Sequence, residues 1–241
     1  MRATRIIYKR ELSAYLRSPF SWVLAALLLL VEGILFQAYA LQGEQLSAIV
    51  LERYFWFASG IPLFGGVLLS FRLIAEERQQ HSMILLNTSP VRDTQIVLGK
   101  FLACLTFFAI LLAVSVYMPL LIKVNGKITG AQILAGYLGL FLMGSAVIAI
   151  GIFASSLTKS QLIAAVVAAV ITFLMCILFV FGKVLSGGVR DVFQQLDIWW
   201  IHYQNGFMRG VIHLKDVVYY LGVTYFFLLL AVKTLETKRW Q

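Results

Sequence analysis

Histidine, cysteine and carboxylate side chains carry most protein chemistry, and in this sequence they do not assemble into a reactive pattern. His81, His202 and His213 are scattered, with no H-E-x-x-H spacing to place two imidazoles and a base on one helix face. Cys104 and Cys176 both lie inside apolar runs, without CxxC spacing or a neighbouring histidine. They read as small buried hydrophobes, neither a disulfide nor a metal pair. A G-x-S-x-G nucleophile elbow is absent, as is a G-x-x-x-x-G-K-[ST] loop to cradle phosphates. The chain is therefore expected not to be an enzyme, with no catalytic residue, metal or cofactor of its own.

Two features still have chemical potential. Glu32 sits near the middle of the first long apolar run, where an ionisable group is costly and must face protein or a water-filled cavity. It reads either as a substrate-path or proton-linked residue, or as a hydrogen-bonded or protonated carboxyl that locks helices together. The second feature is a polar island, Ala75 to Lys100, which gathers Glu76, Glu77, Arg78, Arg92, Asp93 and Lys100 in a chain with only 13% charged residues. Its front half has one apolar side through Met83-Ile84-Leu85-Leu86, and Thr88-Ser89-Pro90 stops it. Ser89 can cap a new helix with Pro90 at the first position, where the missing N–H costs nothing. The island is either a solvated connection or a short helix that another protein grips.

The elements that must position these residues are membrane spans. The 241 residues are 61% hydrophobic, with a mean hydropathy of +0.87, well above the usual apolar share of soluble domains. A bilayer core takes about 20 apolar residues per helix. Six windows fit: Phe20–Leu41, Phe55–Ile74, Val97–Ile122, Ala131–Leu157, Leu162–Phe181 and Val217–Val232. Their short connections leave no room for a soluble catalytic domain, so residues 1–241 read as one all-α transmembrane domain. The net charge of +9 is a topology signal and does not point to nucleic acid. Arg2, Arg5, Lys9, Arg10 and Arg17 precede the first span, Arg72, Arg78, Arg92 and Lys100 surround the second connection, and Lys233, Lys238 and Arg239 lie in the tail. Positive charge on that side places both termini in the cytoplasm, with Arg53, Lys123 and Lys127 in short outer loops. Ala38-Tyr39-Ala40 looks like a signal-cleavage site. However, the run before it is longer than a signal core and follows a structured-looking segment, so the first span is expected to stay.

Residues 3–18 set Ile6, Ile7, Leu12, Tyr15 and Leu16 against Arg5, Lys9, Arg10, Glu11 and Arg17, a pattern for a helix lying in the membrane interface. Ser18-Pro19 repeats the cap-and-proline pattern. Pro62 with Gly65-Gly66 predicts a kink or a close approach in the second span. Small residues four apart, Ala135 and Gly139, Ser145 and Ala149, then Ala164 and Ala168, predict tight packing of the fourth and fifth spans across a short turn at Lys159-Ser160. The segment 183–215 is rich in aromatic residues, including Trp199, Trp200 and Phe207, and reads as one or two short outer-face helices. Leu185-Ser186-Gly187-Gly188 within it matches the signature of an ABC ATPase. Without a phosphate loop elsewhere, the match is fortuitous.

Several segments in order resemble the membrane subunits of ABC type-2 exporters, most nearly the gliding-motility and nitrous-oxide-operon style permeases. They are Lys9-Arg10-Glu11-Leu12 with Arg17-Ser18-Pro19, Glu76-Glu77-Arg78 leading to Leu86-Asn87-Thr88-Ser89-Pro90, Val97-Leu98-Gly99-Lys100, Gly151 to Thr158, Gly206 to Ile212, and Asp216 to Tyr220. The resemblance implies six spans with an N-terminal amphipathic interfacial helix, a cytoplasmic coupling helix at 75–88 and short outer helices before the last span. It also implies pairing with a second permease, identical or related, above two separate ATPase subunits that bind ATP and Mg. Glu76, Glu77, Arg78, Gln79, His81 and Met83 are the implied ATPase contacts, and Glu32 with the second and fifth spans is a candidate substrate path. The expected setting is a bacterial inner membrane and the expected activity is ATP-driven export. Rival readings are an ATPase-coupled scaffold without a transport path, and a self-contained channel or secondary transporter. The latter calls for more intramembrane charge than Glu32 supplies.

Overall fold

A computed structural model describes residues 2–41, 46–79, 92–184 and 188–239. Every regular element among them is helical. The elements are α1 (Arg2–Arg17), α2 (Pro19–Leu35) with a π-helical turn at Phe36–Ala40, α3 (Ser47–Ala58), a second π-helical turn at Ile61–Gly65, α4 (Gly66–Ser70) and α5 (Arg72–Gln79). Then come α6 (Asp93–Ser115), α7 (Tyr117–Asn125), α8 (Gly130–Leu157), α9 (Gln161–Val184), α10 (Gly188–Gln195) and α11 (Leu214–Arg239). Between α10 and α11 lie a π-helical turn, Trp200–Gln204, and a 3-10 turn, Phe207–Arg209. Six continuous helices are long and apolar enough to cross a membrane: Pro19–Ala40, Ser47–Gln79, Asp93–Val124, Gly130–Leu157, Gln161–Lys183 and Leu214–Thr237. The chain is a multi-pass membrane protein.

All but the first of these spans are longer than the apolar windows, and the reason is local. The turn Ser47–Tyr54 carries Glu52 and Arg53, which depress hydropathy without breaking the helix, so the second span starts before Phe55. Arg53 is therefore helical and does not sit in a loop. Likewise the Gln95 side chain reaches back to accept from the Arg92 backbone N–H at 3.3 Å, and α6 starts at Asp93, ahead of Val97. Pro19 occupies the first position of α2 behind an extended Ser18, as expected, although the Ser18 side chain makes no capping bond. The indole of Trp22 instead ties the corner, donating to the Leu16 carbonyl at 2.7 Å.

Pro62 lacks the N–H that would bond the preceding turn, and the second span widens there into a π-helical turn. Just beyond, a Cβ on Gly66 would meet Val147 Cγ1 at 2.9 Å, so the second and fourth spans touch where the glycine pair predicts. The fourth span is the hub, with 78% of its most apolar stretch buried, against 28%, 17% and 22% for the first, fifth and sixth. Its glycines are notches for side chains: Phe55 fills the space at Gly136, Phe207 at Gly139, Phe108 at Gly144 and Ser70 at Gly151. The small-residue pattern thus admits aromatic rings as well as neighbouring backbone. Ala164 and Ala168, both fully buried, lie on the fifth span, which packs on the fourth beyond the turn Thr158–Ser160. The first and fifth spans keep broad apolar faces exposed, including Leu27, Leu30 and Ile34 on one and Ile163, Val166 and Val170 on the other. Such faces suit lipid or a protein partner.

Candidate functional site

At one end of the bundle, helices separated by up to 89 positions in sequence meet at four charges. The seat is prepared by packing. A Cβ on Gly99 would lie 2.8 Å from Ile7 Cγ2 and 3.1 Å from the Thr4 carbonyl, so only glycine lets α1 settle this closely on α6. The buried Tyr15 hydroxyl then donates to the Leu69 carbonyl at 2.6 Å, fixing α1 against the second span. With α1 so placed, Arg10 and Glu11 come beside Glu77 of α5 and Lys100 of α6. Lys100 Nζ stands 3.0 Å from Glu11 Oε1 and 2.9 Å from Glu77 Oε1. Arg10 Nη2 approaches the same two oxygens at 2.6 and 2.7 Å.

Each cation therefore touches both carboxylates, and the four formal charges cancel. The Lys100 side chain is 1% exposed, while that of Arg10 is 53% exposed and closes the cluster towards solvent. Burial alone would raise the Glu11 carboxyl, but the charge of Lys100 and the hydrogen bonds from Arg10 and Lys100 outweigh it. They hold the group below the usual carboxylate range. Arg72 extends the cluster, stacking its guanidinium 5.2 Å from the ring centres of Tyr15 and Phe20 and donating to Ser21 Oγ at 3.1 Å. From the other side the end of α8 clasps α5. Ser155 Oγ accepts from the backbone N–H groups of Ile74 and Ala75 at 3.0 and 2.8 Å, and Arg78 Nη1 donates to the Ser156 carbonyl at 2.5 Å.

The residues singled out in the polar island divide accordingly. Glu77 and Arg78 are engaged within the bundle, and Glu76 lines the same cleft as Arg10 and Lys100. Gln79 is exposed at the end of α5. His81 and Met83, with the remainder of 75–88 beyond Gln79, lie outside the described residues. Sequence reasoning missed Arg10, Glu11, Lys100 and Ser155 as parts of one cluster. The available signal was that all four fall in the short segments carrying the family resemblance.

The opposite end is built differently. Asp197 Oδ1 accepts from the backbone N–H groups of Trp199, Trp200 and Ile201. Burial pushes its carboxyl up to about 6, against the opposing pull of those amides and of His202. His202 is buried and stacks on Tyr219 at 3.8 Å, with Nδ1 2.7 Å from Asp216 Oδ1 and Nε2 2.9 Å from the Gln195 carbonyl. Tyr219 and Tyr220 donate to the carbonyls of Leu196 and Ile198, each at 2.7 Å. Among the described residues no cluster of three or more histidine, cysteine or acidic side chains is placed to hold a metal ion.

A half-open cavity of about 730 Å³ is lined by the first, second and fifth spans and by Trp199. Glu32 is on its wall and is 3% exposed. Its carboxyl oxygens are fully buried and interact with the side chain of Tyr54 on the second span. The structure thus brings Glu32 together with the second and fifth spans and away from the charged cluster.

A search of curated proteins finds no match. The family described as ABC-2 family transporter protein matches residues 34–232, from the first span into the sixth. That region holds the cavity wall apart from Leu28, Val31 and Glu32, together with α5, the clasp on α8 and the far-end staples. The chain belongs to the ABC-2 transporter family and is a membrane component of an ABC transporter.

Proposed function

We propose that residues 1–241 form one permease domain of the gliding-motility or nitrous-oxide-operon type, in an ATP-driven exporter of a bacterial inner membrane. Two permeases, identical or related, pair above two separate ATPase subunits that bind ATP and Mg. Both termini and the α1–α5–α6 cluster face the cytoplasm, with α1 at the membrane interface. The observation that carries this reading is the convergence of the polar island's first helix, α5, on α1, α6 and α8 through paired charges. A force applied to α5 passes directly into three other elements, which is what coupling to a distant ATPase requires.

In this scheme Glu76, Gln79, His81 and Met83 dock in the ATPase, while Glu77 and Arg78 transmit its movement inward. Closure of the ATPase dimer shifts the helices and changes which side of the permease pair is open. Glu32 and the cavity between the first, second and fifth spans line the path. The short outer segment, with no folded receptor domain of its own, fits export better than import.

Affinity purification of the tagged protein in mild detergent, with mass spectrometry and an ATPase assay, tests the proposal. The expected result is an ATPase subunit at equal stoichiometry, released by Glu76→Lys. A protein that purifies without an ATPase overturns it and favours the self-contained channel.

A further inference from the structure

Three cations line the cleft of about 400 Å³ at the α1–α5–α6 end, and they are not equally matched. Arg10 and Lys100 share Glu11 and Glu77, whereas Arg72 has no ion pair among the described residues. Its half-buried guanidinium gives one hydrogen bond, to Ser21 Oγ, and lies against the rings of Tyr15 and Phe20. None of its nitrogens is both buried and unpartnered, so the N–H groups not given to Ser21 are accessible. Ser18, on the wall of the same cleft, leaves its hydroxyl without a capping bond. Phe20, whose ring meets Arg72, begins an exposed apolar stripe on the first span that continues through Val23, Leu27 and Leu30. These positions, three and four apart, share one helix face. A cation and a hydroxyl thus stand at the foot of an apolar track.

We propose that this cleft seats the headgroup of an anionic phospholipid, with its phosphodiester on Arg72 and Ser18 and one acyl chain along Phe20, Val23, Leu27 and Leu30. The proposal rests on the interfacial placement of α1 given above, and not on coupling to an ATPase. A guanidinium offers a phosphate two parallel N–H donors, and contact with two rings limits where Arg72 can swing. The charged side chains of the cleft, Arg10, Arg72 and Lys100 with Glu11, Glu76 and Glu77, cancel formally, so the preference for a negative lipid comes from α1. There Arg5, Lys9 and Arg17 are exposed and have no ion pair among the described residues. Such side chains draw negatively charged lipid to a membrane surface. A free phosphate would use Arg72 and leave the stripe empty, whereas a lipid uses both.

Native mass spectrometry of the full chain in detergent, without ATP or partner subunits, tests the proposal. The probes are dioleoylphosphatidylglycerol, zwitterionic dioleoylphosphatidylcholine and the chain-free headgroup glycerol phosphate. The wild-type protein is expected to retain one phosphatidylglycerol in preference to phosphatidylcholine, and to retain no glycerol phosphate. Arg72→Gln is expected to weaken that first phosphatidylglycerol about tenfold or more, as loss of charge-assisted hydrogen bonds implies. Ser18→Asp keeps a residue favoured at a helix N-cap while setting a fixed carboxylate in the cleft. It is expected to weaken the same lipid, and it decides the matter where the glutamine variant does not fold. Equal retention of the two lipids, retention of glycerol phosphate in place of lipid, or an unchanged phosphatidylglycerol affinity in either folded variant overturns the proposal. Failure here leaves ATPase co-purification untouched, and failure of co-purification leaves the lipid preference untouched, so the two readings fall separately.

Discussion

The two ends of the bundle solve the same problem with a different mix of bonds. At the α1–α5–α6 end, ion pairs shared between side chains add to the bonds that Tyr15, Arg78 and Ser155 make with backbone: Arg10 and Lys100 each reach both Glu11 and Glu77. At the Trp199–Asp216 end, side chains mostly hold backbone: Asp197 gathers three amides, His202 reaches the Gln195 carbonyl, and two tyrosines reach carbonyls. A bond to backbone fixes the path of the chain, because the atom it holds cannot swing away. A shared ion pair gives each charge two partners, so the loss of one leaves another.

Variants can break this contrast, and the largest effect is expected at its buried centre. Lys100→Met leaves the half-exposed Arg10 as the one cation for two carboxylates and should cost about 3–5 kcal/mol, as removal of one buried ionic partner generally does. Thermal unfolding in detergent reads it, and adding Glu11→Gln with Glu77→Gln should recover much of the loss. Next comes His202→Ala, which removes two hydrogen bonds and a ring stack. About 2–3 kcal/mol is expected, together with faster proteolysis of 196–210 and little change around α1. Ser155→Ala removes an acceptor shared by two buried amides and should cost roughly 1–2 kcal/mol, with faster amide exchange at Ile74 and Ala75. Arg10→Ala is expected to be mild, about 0–1 kcal/mol, since the side chain is largely in solvent.

The smallest and most discriminating effect is on pH dependence, where the two ends differ in sign. The Glu11 carboxyl is depressed in the folded protein. Its stabilisation is complete above the unfolded value of about 4.3 and is lost as pH falls through the folded value. The Asp197 carboxyl is raised to about 6. Its contribution is complete below the unfolded value of about 3.9 and is lost as pH climbs towards 6. Melting temperature against pH should therefore show two limbs. Glu11→Gln flattens the acid limb and Asp197→Asn the limb between about pH 4 and 6. If both variants flatten the same limb, the contrast is wrong.

How much of this was legible beforehand follows from the range of the interactions. Span number and helical class come from runs of local hydropathy, and Pro62 marks its own irregularity. Span ends were not legible from hydropathy alone, because Glu52, Arg53 and Asp93 lower it while remaining helical. Local bonds such as that from the Arg92 N–H to the Gln95 side chain set those ends. The charged cluster was only half visible. Glu77 and Lys100 stand out within one island, but their pairing with Arg10 and Glu11 depends on Gly99 admitting α1, a contact across more than 90 positions that no periodicity encodes. Glu32 was recognisable as costly, yet the cavity beside it arises from three spans meeting.

The second span also has a length to account for. Its helix, Ser47–Gln79, runs 33 residues, which at about 1.5 Å each gives roughly 50 Å, while a hydrocarbon core is about 30 Å thick. Roughly 20 Å of the rod must therefore stand clear of the lipid or be taken up by tilt. Arg72, Glu76, Glu77 and Arg78 occupy the final turns of that rod. Under the coupling proposed above, a push on those final turns is carried along the rod towards the widened turn at Pro62.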